Sequence, residues 1–326
     1  MDKMNFKPKN SITNYRTFRP RYEINRWPYL LALPIMWALT LWVLMKKGAL
    51  KIFRKKPHIN SFWFDGLGLT CRAIKEGTAS WKALDIIYNY RFRQKAGLRG
   101  FADDFWIGII NAQAVRNRLR LVKYELEKIV GEFADSKIVK LPPCLKNRNR
   151  IATKEVRILS LGSGSAQGII ELMTELKPRG IIIKAFLLDL DQSALEYAQK
   201  LARKYGVADQ IEVSCTKISA VMSVAESFKP HIIEMLGLLD YIPEKKAVRL
   251  VRKIHDALPK SGVFLTCNIR HNPEQFFLGI VINWWMIYRT PKEFEGIISK
   301  GGFGTYKLIY EPLNVHGIAI ARKSIG

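Results

Sequence analysis

The stretch VRILSLGSGSAQGII, Val156 to Ile170, changes character at its centre. Its first six residues are a mostly apolar run of β-forming type, Gly162 and Gly164 interrupt it, and from Ser165 onward apolar residues recur at helical spacing. A strand, a glycine turn and a helix in that order let the backbone come close to a ligand at the helix N-terminus. Gly162, Ser163 and Gly164 are therefore candidate ligand-binding residues whichever nucleotide is held.

Downstream the alternation continues. A helix is expected over 165–177, a strand at IIIKAFLL (181–188), a helix over 192–205 and a strand at QIEVSC (210–215). A helix from about 217, the strand HIIEML (231–236), a helix over about 244–257 and the strand GVFLTCN (262–268) follow. Strands separated by helices predict an α/β fold with a doubly wound, mostly parallel sheet. FGTYKLIYEPLNVHGIAIAR (303–322) reads instead as two strands joined by a short turn, an antiparallel hairpin that brings the sheet to seven strands. Asp189 falls at the end of the second strand, twenty-five positions after Gly164, where a carboxylate can accept both hydroxyls of a ribose.

Taken together, the turn, Asp189 and the closing hairpin resemble a class I S-adenosylmethionine-dependent methyltransferase over 156–322; a nicotinamide-binding domain shares the first two features but does not normally end in such a hairpin. The resemblance implies a Rossmann-like methyltransferase fold with S-adenosyl-L-methionine as cofactor. It places Ser160, Gly162, Ser163, Gly164, Asp189, Leu190, Thr216 and Gly237 around that cofactor. Ser160 stands where many such enzymes have an acidic residue, Ala166 replaces the third glycine of the usual turn, and SCTKIS (214–219) lacks the frequent acidic residue near adenine. QAVRNRLRLV (113–122), LSLGSGSAQ (159–167), MLGLLDYIP (235–243) and CNIRHNPEQFFLGIVINWWMIYRTPKEF (267–294) resemble more closely the bacterial methyltransferases that make 3-hydroxypalmitic acid methyl ester, a diffusible cell-density signal. Ser160 suits that group, and the implied reaction is esterification of a fatty carboxylate.

Methyl transfer from a sulfonium is an in-line displacement that gains most from alignment and exclusion of water. A carboxylate acceptor is already ionised at neutral pH and needs no general base. The chain reads EMLGLLDYIP (234–243) after the fourth strand and lacks the Asp/Asn-Pro-Pro-aromatic motif of amino-methylating enzymes, which favours an oxygen acceptor. Gly237, Asp240 and Tyr241 follow that strand at the ligand-binding edge; a helix cap and a packing tyrosine are the alternative roles for the last two. Arg270, His271, Tyr288 and Arg289 border an aromatic segment that suits an amphiphilic acid, with Arg270 or Arg289 available to a carboxylate. His271 is open to proton transfer or to a hydrogen-bonded loop role.

Charge is the other strong feature: 53 Lys and Arg against 28 Asp and Glu give a net +25 over 326 residues, which attracts anionic membranes, acidic ligands or nucleic acid. Residues 1–27 read as a basic flexible arm. Residues 28–56, PYLLALPIMWALTLWVLMKKGALKIFRKK, form an apolar helix with a basic flank, either associated with an anionic membrane or packed within the protein. Residues 57–150 read as a helical substrate or lid region, ended by Pro142 and Pro143, and 151–326 as the cofactor-binding domain. Within the helical region, Arg116, Arg118, Arg120 and Lys123 are either a solvated face or a nucleic-acid contact, so an RNA methyltransferase is the first alternative function. A non-catalytic, cofactor-binding membrane protein is the second. The four scattered cysteines and the absence of clustered histidines predict neither disulfides nor a metal site. The expected location is the cytoplasm, at the inner face of the membrane.

Overall fold

The computed structural model describes residues 20–53, 62–139 and 154–324. Val156, Ile158, Leu159 and Leu161 are all buried, so side chains on both faces of this first strand are covered. That is the condition that lets a parallel strand be a nearly continuous apolar run. Strands Lys154–Leu161 (β1), Ile181–Asp189 (β2), Ile211–Cys215 (β3), Ile232–Met235 (β4) and Val263–Ile269 (β5) pair in parallel, while Thr305–Tyr310 (β6) and His316–Arg322 (β7) form the expected hairpin. The sheet has seven strands in the order β3-β2-β1-β4-β5-β7-β6, with β7 antiparallel to both β5 and β6.

Helices cover both faces. Helix α5 (Ile110–Val139), α6 (Gln167–Leu176) and α7 (Gln192–Lys204) pack on one side, sharing a core with Val156, Ile158 and Ile232. The opposite core joins Leu159, Leu161 and Ile233 to α8 (Val221–Phe228), α9 (Glu244–Ala257) and α11 (Pro291–Lys300). The helix after the glycine turn begins at Gln167 rather than Ser165, because Gly162, Gly164 and Ala166 all adopt positive φ and use those residues for the turn.

A third core lies outside the sheet. It gathers α1 (Trp27–Ile52), α2 (Leu69–Glu76), α3 (Trp81–Asn89), α4 (Gly97–Ile107), and the short α10 (Gln275–Phe277), which runs into a π-helical turn at Leu278–Ile282. Helix α1 buries Ala32, Met36, Leu39 and Val43 in this core and exposes Leu30, Leu31, Trp37, Leu41, Leu44 and Met45. The packed reading holds for one stripe of the helix, and its other apolar face is bare.

The basic arm differs from its expectation over the residues that can be described. The Glu23 N–H donates to Asn117 Oδ1 (2.8 Å), the Asn25 N–H to Gln113 Oε1 (3.0 Å), and the Glu23 carboxylate pairs with Arg116 and Arg120 on α5 (2.7 Å each). This end of the arm is docked. Residues 1–19, the basic stretch Arg54, Lys55 and Lys56, and the linker with Pro142 and Pro143 lie outside the described residues.

Candidate active site

Strand β1 is flanked by β2 on one side and β4 on the other, so chain connections leave it in opposite directions. Crevices at such switch points, beyond the carboxyl ends of the strands, hold ligands in open α/β sheets. A cavity of about 360 Å³ lies there, lined by Gly162, Ser163, Gly164, Asp189 and Gly237 among others. Gly162 (φ 64°) and Gly164 (φ 53°) take the left-handed backbone that the turn requires. The N–H groups of Gly162 and Ser163 donate to Leu188 O (2.8 and 3.2 Å), which ties the turn to β2. Asp189 Oδ2 accepts from the Gly164 N–H (2.8 Å) and Oδ1 from the Asp191 N–H (2.9 Å), so this carboxylate shapes the turn as well as facing the cavity.

Helix α3 covers the turn. The Trp81 indole N–H donates to Ser193 Oγ (3.2 Å), its ring lies 4.7 Å from that of Tyr197, and Asn89 exchanges hydrogen bonds with Gln167 (3.1 Å). The helical region before the sheet therefore closes over the mouth of the site.

The remaining candidates divide. Asp240 and Tyr241 line the cavity, and Gly237 does so at φ 72° with its N–H on Cys267 Sγ (3.2 Å). Asp240 is buried and Oδ1 accepts from Asn268 Nδ2 (2.7 Å) and the Ile269 N–H (2.8 Å); burial pushes its carboxyl up to about 6, against the pull of Arg118. It bridges β4 and β5 rather than capping a helix. Tyr241 accepts from the Trp284 indole (2.7 Å), and burial pushes its hydroxyl up to about 12. Arg289 is buried but committed, donating to Leu239 O (2.7 Å), Asn268 Oδ1 and Ile242 O. Arg270 is exposed over the Tyr310 ring, and His271 is exposed with Nδ1 3.1 Å from Gln275 Oε1. Neither lines the cavity, nor do Tyr288, Leu190 and Thr216. Leu190 points to solvent, and the Thr216 N–H secures β3 to Asp189 O (3.0 Å). Ser160 is buried and stands opposite Glu234 in the sheet, without lining the cavity.

The cavity wall also holds Glu234, which the sequence reading did not single out, and Arg118, which it assigned to a solvated or nucleic-acid-binding face. Arg118 is a buried guanidinium on α5 whose contacts are Tyr88 Oη (2.9 Å) and Cys267 Sγ (3.9 Å), with no ion pair among the described residues. The surrounding tyrosine, thiol and Asp240 hold its charge against desolvation. Glu234 is buried in β4, and burial pushes its carboxyl up to about 7. Its Oε2 has no hydrogen-bond partner, nor do Asn111 Oδ1, Ser163 Oγ or either ring nitrogen of His316, all of them residues of the wall. Buried polar atoms without partners are few in folded proteins, and a group of them facing one cavity fits a polar ligand. The sequence held signals for both: a lone acid inside an apolar strand, and Arg118 three residues after Val115 and four before Val122, on the apolar stripe of its helix. The basic stripe is not a free surface. Arg116 and Arg120 pair with Glu23, and Lys123 with Glu171 (3.1 Å) and Glu175 (2.8 Å).

The fold is an open α/β sheet with a ligand crevice beyond the carboxyl ends of its strands, and the family match makes this chain a methyltransferase. Residues 37–323 match the family described as "Putative methyltransferase", and the chain belongs to that family. No curated protein matches it by sequence. Its fold is similar to that of a "possible exported protein" from Bordetella parapertussis (15% identity, TM-score 0.57, covering 78% of this chain and 86% of that one). Other similar structures are a "putative O-methyltransferase" from Nostoc punctiforme (18%, TM-score 0.46, 81% and 70%) and an O-methyltransferase family 2 protein from Planctomyces limnophilus in complex with apigenin (13%, TM-score 0.46, 93% and 98%). No group of three or more potential metal ligands occurs among the described residues.

Proposed function

We propose that the enzyme is an O-methyltransferase that esterifies the carboxylate of a fatty or other amphiphilic acid, in the cytoplasm at the inner face of an anionic membrane. The sequence resemblance to the 3-hydroxypalmitic acid methyl ester group supports this reading. The observation that carries it is Arg118, the one guanidinium or ammonium lining the cavity among the described residues, set in a wall that also contains Phe64, Trp106, Leu278, Ile282 and Trp284. An apolar chamber with a single unpaired cation suits an anionic head on an apolar chain.

Bound at the glycine turn, S-adenosylmethionine supplies an electrophilic methyl group. Gly162, Ser163 and Gly164 would let the backbone approach it, with Asp189 on the ribose. Arg118 fixes the acceptor carboxylate and so presents one oxygen along the line of attack. The aromatic and aliphatic wall holds the chain and keeps water out. No side chain has to remove a proton, because the acceptor is already ionised at neutral pH. Asp240 and Tyr241 keep their internal hydrogen bonds and shape the floor.

The test combines purified protein, methyl-labelled cofactor and a panel of medium- and long-chain acids, with labelled methyl ester as the readout. Arg118→Gln is expected to lower kcat/KM for the acid by about a hundredfold, mostly through KM, while the cofactor dissociation constant stays within about twofold. Absence of any ester from wild type across the panel would refute the reading. Loss of cofactor affinity in the variant at unchanged acceptor KM would move Arg118 to the cofactor.

A further inference from the structure

Strand β4 is buried throughout, yet its third residue is Glu234, only 5% exposed. Parallel pairing sets Ser160 of β1 opposite Glu234, and Glu234 opposite Leu265 of β5. Opposed residues in a sheet point to the same face. Ile158 and Ile232, two positions earlier on each strand, belong to the core beneath α5 and α6, so Ser160 and Glu234 share that face. Burial pushes the Glu234 carboxyl up to about 7, and the neighbouring Ser160 hydroxyl works against that shift. Arg118 acts on the same carboxylate through its field, without forming an ion pair. Both side chains line the cavity that Gly162, Gly164 and Gly237 border.

A buried carboxylate oxygen with no donor is costly to maintain. Within the protein that cost has no return: Glu234 Oε2 bonds to nothing, and a carboxylate acceptor leaves no proton for it to take. A ligand that brings a positively charged N–H donor to this end of the cavity removes the deficit. The sulfonium of the cofactor carries charge but no N–H, whereas its α-ammonium offers three.

We propose that Glu234 receives the α-ammonium of S-adenosylmethionine, and that Ser160 is the positioning residue that holds the carboxylate in place for it. This rests on the cofactor assignment and not on the identity of the acceptor. It also gives Ser160 a purpose: the acid that many related enzymes carry at that position stands here one strand over, level in register with Ser160 on the same face of the sheet.

The experiment is calorimetric titration of wild type, Glu234→Gln and Ser160→Ala with two ligands, S-adenosylhomocysteine and 5′-methylthioadenosine. The second keeps adenine, ribose and sulfur but lacks the amino-acid end. Glu234→Gln is expected to weaken S-adenosylhomocysteine about tenfold to a hundredfold and Ser160→Ala about threefold to tenfold, with 5′-methylthioadenosine unchanged in both. Unaltered S-adenosylhomocysteine affinity in Glu234→Gln overturns the proposal. So does an equal loss of both ligands in a variant whose melting curve shows it folded, because Glu234 would then only shape the cavity. Failure of wild type to bind either ligand overturns the cofactor assignment itself. Should Glu234→Gln not fold, Ser160→Ala carries the same contrast, and an unchanged ligand ratio in it refutes the pairing.

Discussion

At the scale of single residues, the two arginines that the sequence offers beside its aromatic segment separate by what they touch. Arg270 is exposed over Tyr310, while Arg289 is buried and satisfies three acceptors contributed by the chain after β4 and by β5. Replacing Arg289 with Met removes a donor from all three oxygens and leaves Leu239 O only the Ile242 N–H (3.2 Å), and Arg289→Met is expected to cost about 3 kcal/mol of stability in urea denaturation. Arg270→Ala is expected to stay within about 0.5 kcal/mol, as surface changes away from special features do. Comparable losses in the two variants would contradict this division. Sequence position alone did not distinguish them, because burial is decided by partners more than twenty residues away. The placement of Gly162, Gly164, Asp189 and Gly237 at the cavity was legible for the opposite reason. Their placement follows from local backbone geometry at strand ends, which sequence spacing expresses directly.

At the scale of elements, the parallel strands and their helices stand within a few residues of where hydrophobic runs and glycine breaks put them. The segment after β5 does not read so simply. Gly279 packs so closely on the Trp285 ring that an added Cβ would sit 2.7 Å from it, and Asn283 takes a left-handed backbone, so a π-helical turn ends abruptly and the chain continues without regular secondary structure. That arrangement depends on α1 and α4 meeting the same residues, which no local pattern encodes. Two glycines test how element geometry serves the site. Gly164 (φ 53°) has the Trp81 Cβ only 3.3 Å from where its own Cβ would lie, whereas Gly131 sits inside α5 with nothing within 4 Å. Gly164→Ala is expected to weaken cofactor binding about fivefold to tenfold through backbone strain and displacement of α3. Gly131→Ala, with open space around it, should instead stabilise the protein by about 1 kcal/mol through helix propensity. Calorimetric titration and urea denaturation read the two effects, and equal cofactor affinity in Gly164→Ala would show that the turn does not contact the ligand.

At the scale of the whole molecule, the +25 charge and the bare face of α1 require a common account. The α5 cations do not supply an RNA surface, since Arg116, Arg120 and Lys123 are paired internally and Arg118 is buried in the cavity wall. The apolar face of α1 continues onto the catalytic domain, where Phe276 stands 6.1 Å from Trp37 and Trp285 is also exposed. Contiguous apolar surface of this kind marks a contact with lipid or protein. Helix α1 is long and apolar enough to cross a bilayer, but its Ala32, Met36, Leu39 and Val43 stripe is packed in the third core, and Lys47 Nζ donates to Ile280 O (3.1 Å) in the π-helical turn. Leaving that core to span a membrane would strip the wall of the cavity itself, since Leu278 and Ile282 belong to both. On the proposed function, the helix lies in an anionic leaflet with its bare face immersed and basic residues at the headgroups. Wild type is expected to sediment with vesicles containing phosphatidylglycerol and not with neutral ones, and to lose most of that binding in high salt. The double change Leu31→Ser, Leu41→Ser should lower partitioning at least about tenfold, because each removes exposed leucine surface from the immersed face, while the melting temperature stays unchanged. Undiminished vesicle binding in that variant would exclude the face as the lipid contact, and a concentration-dependent dimer lost in the same variant would assign it to a second copy of the chain.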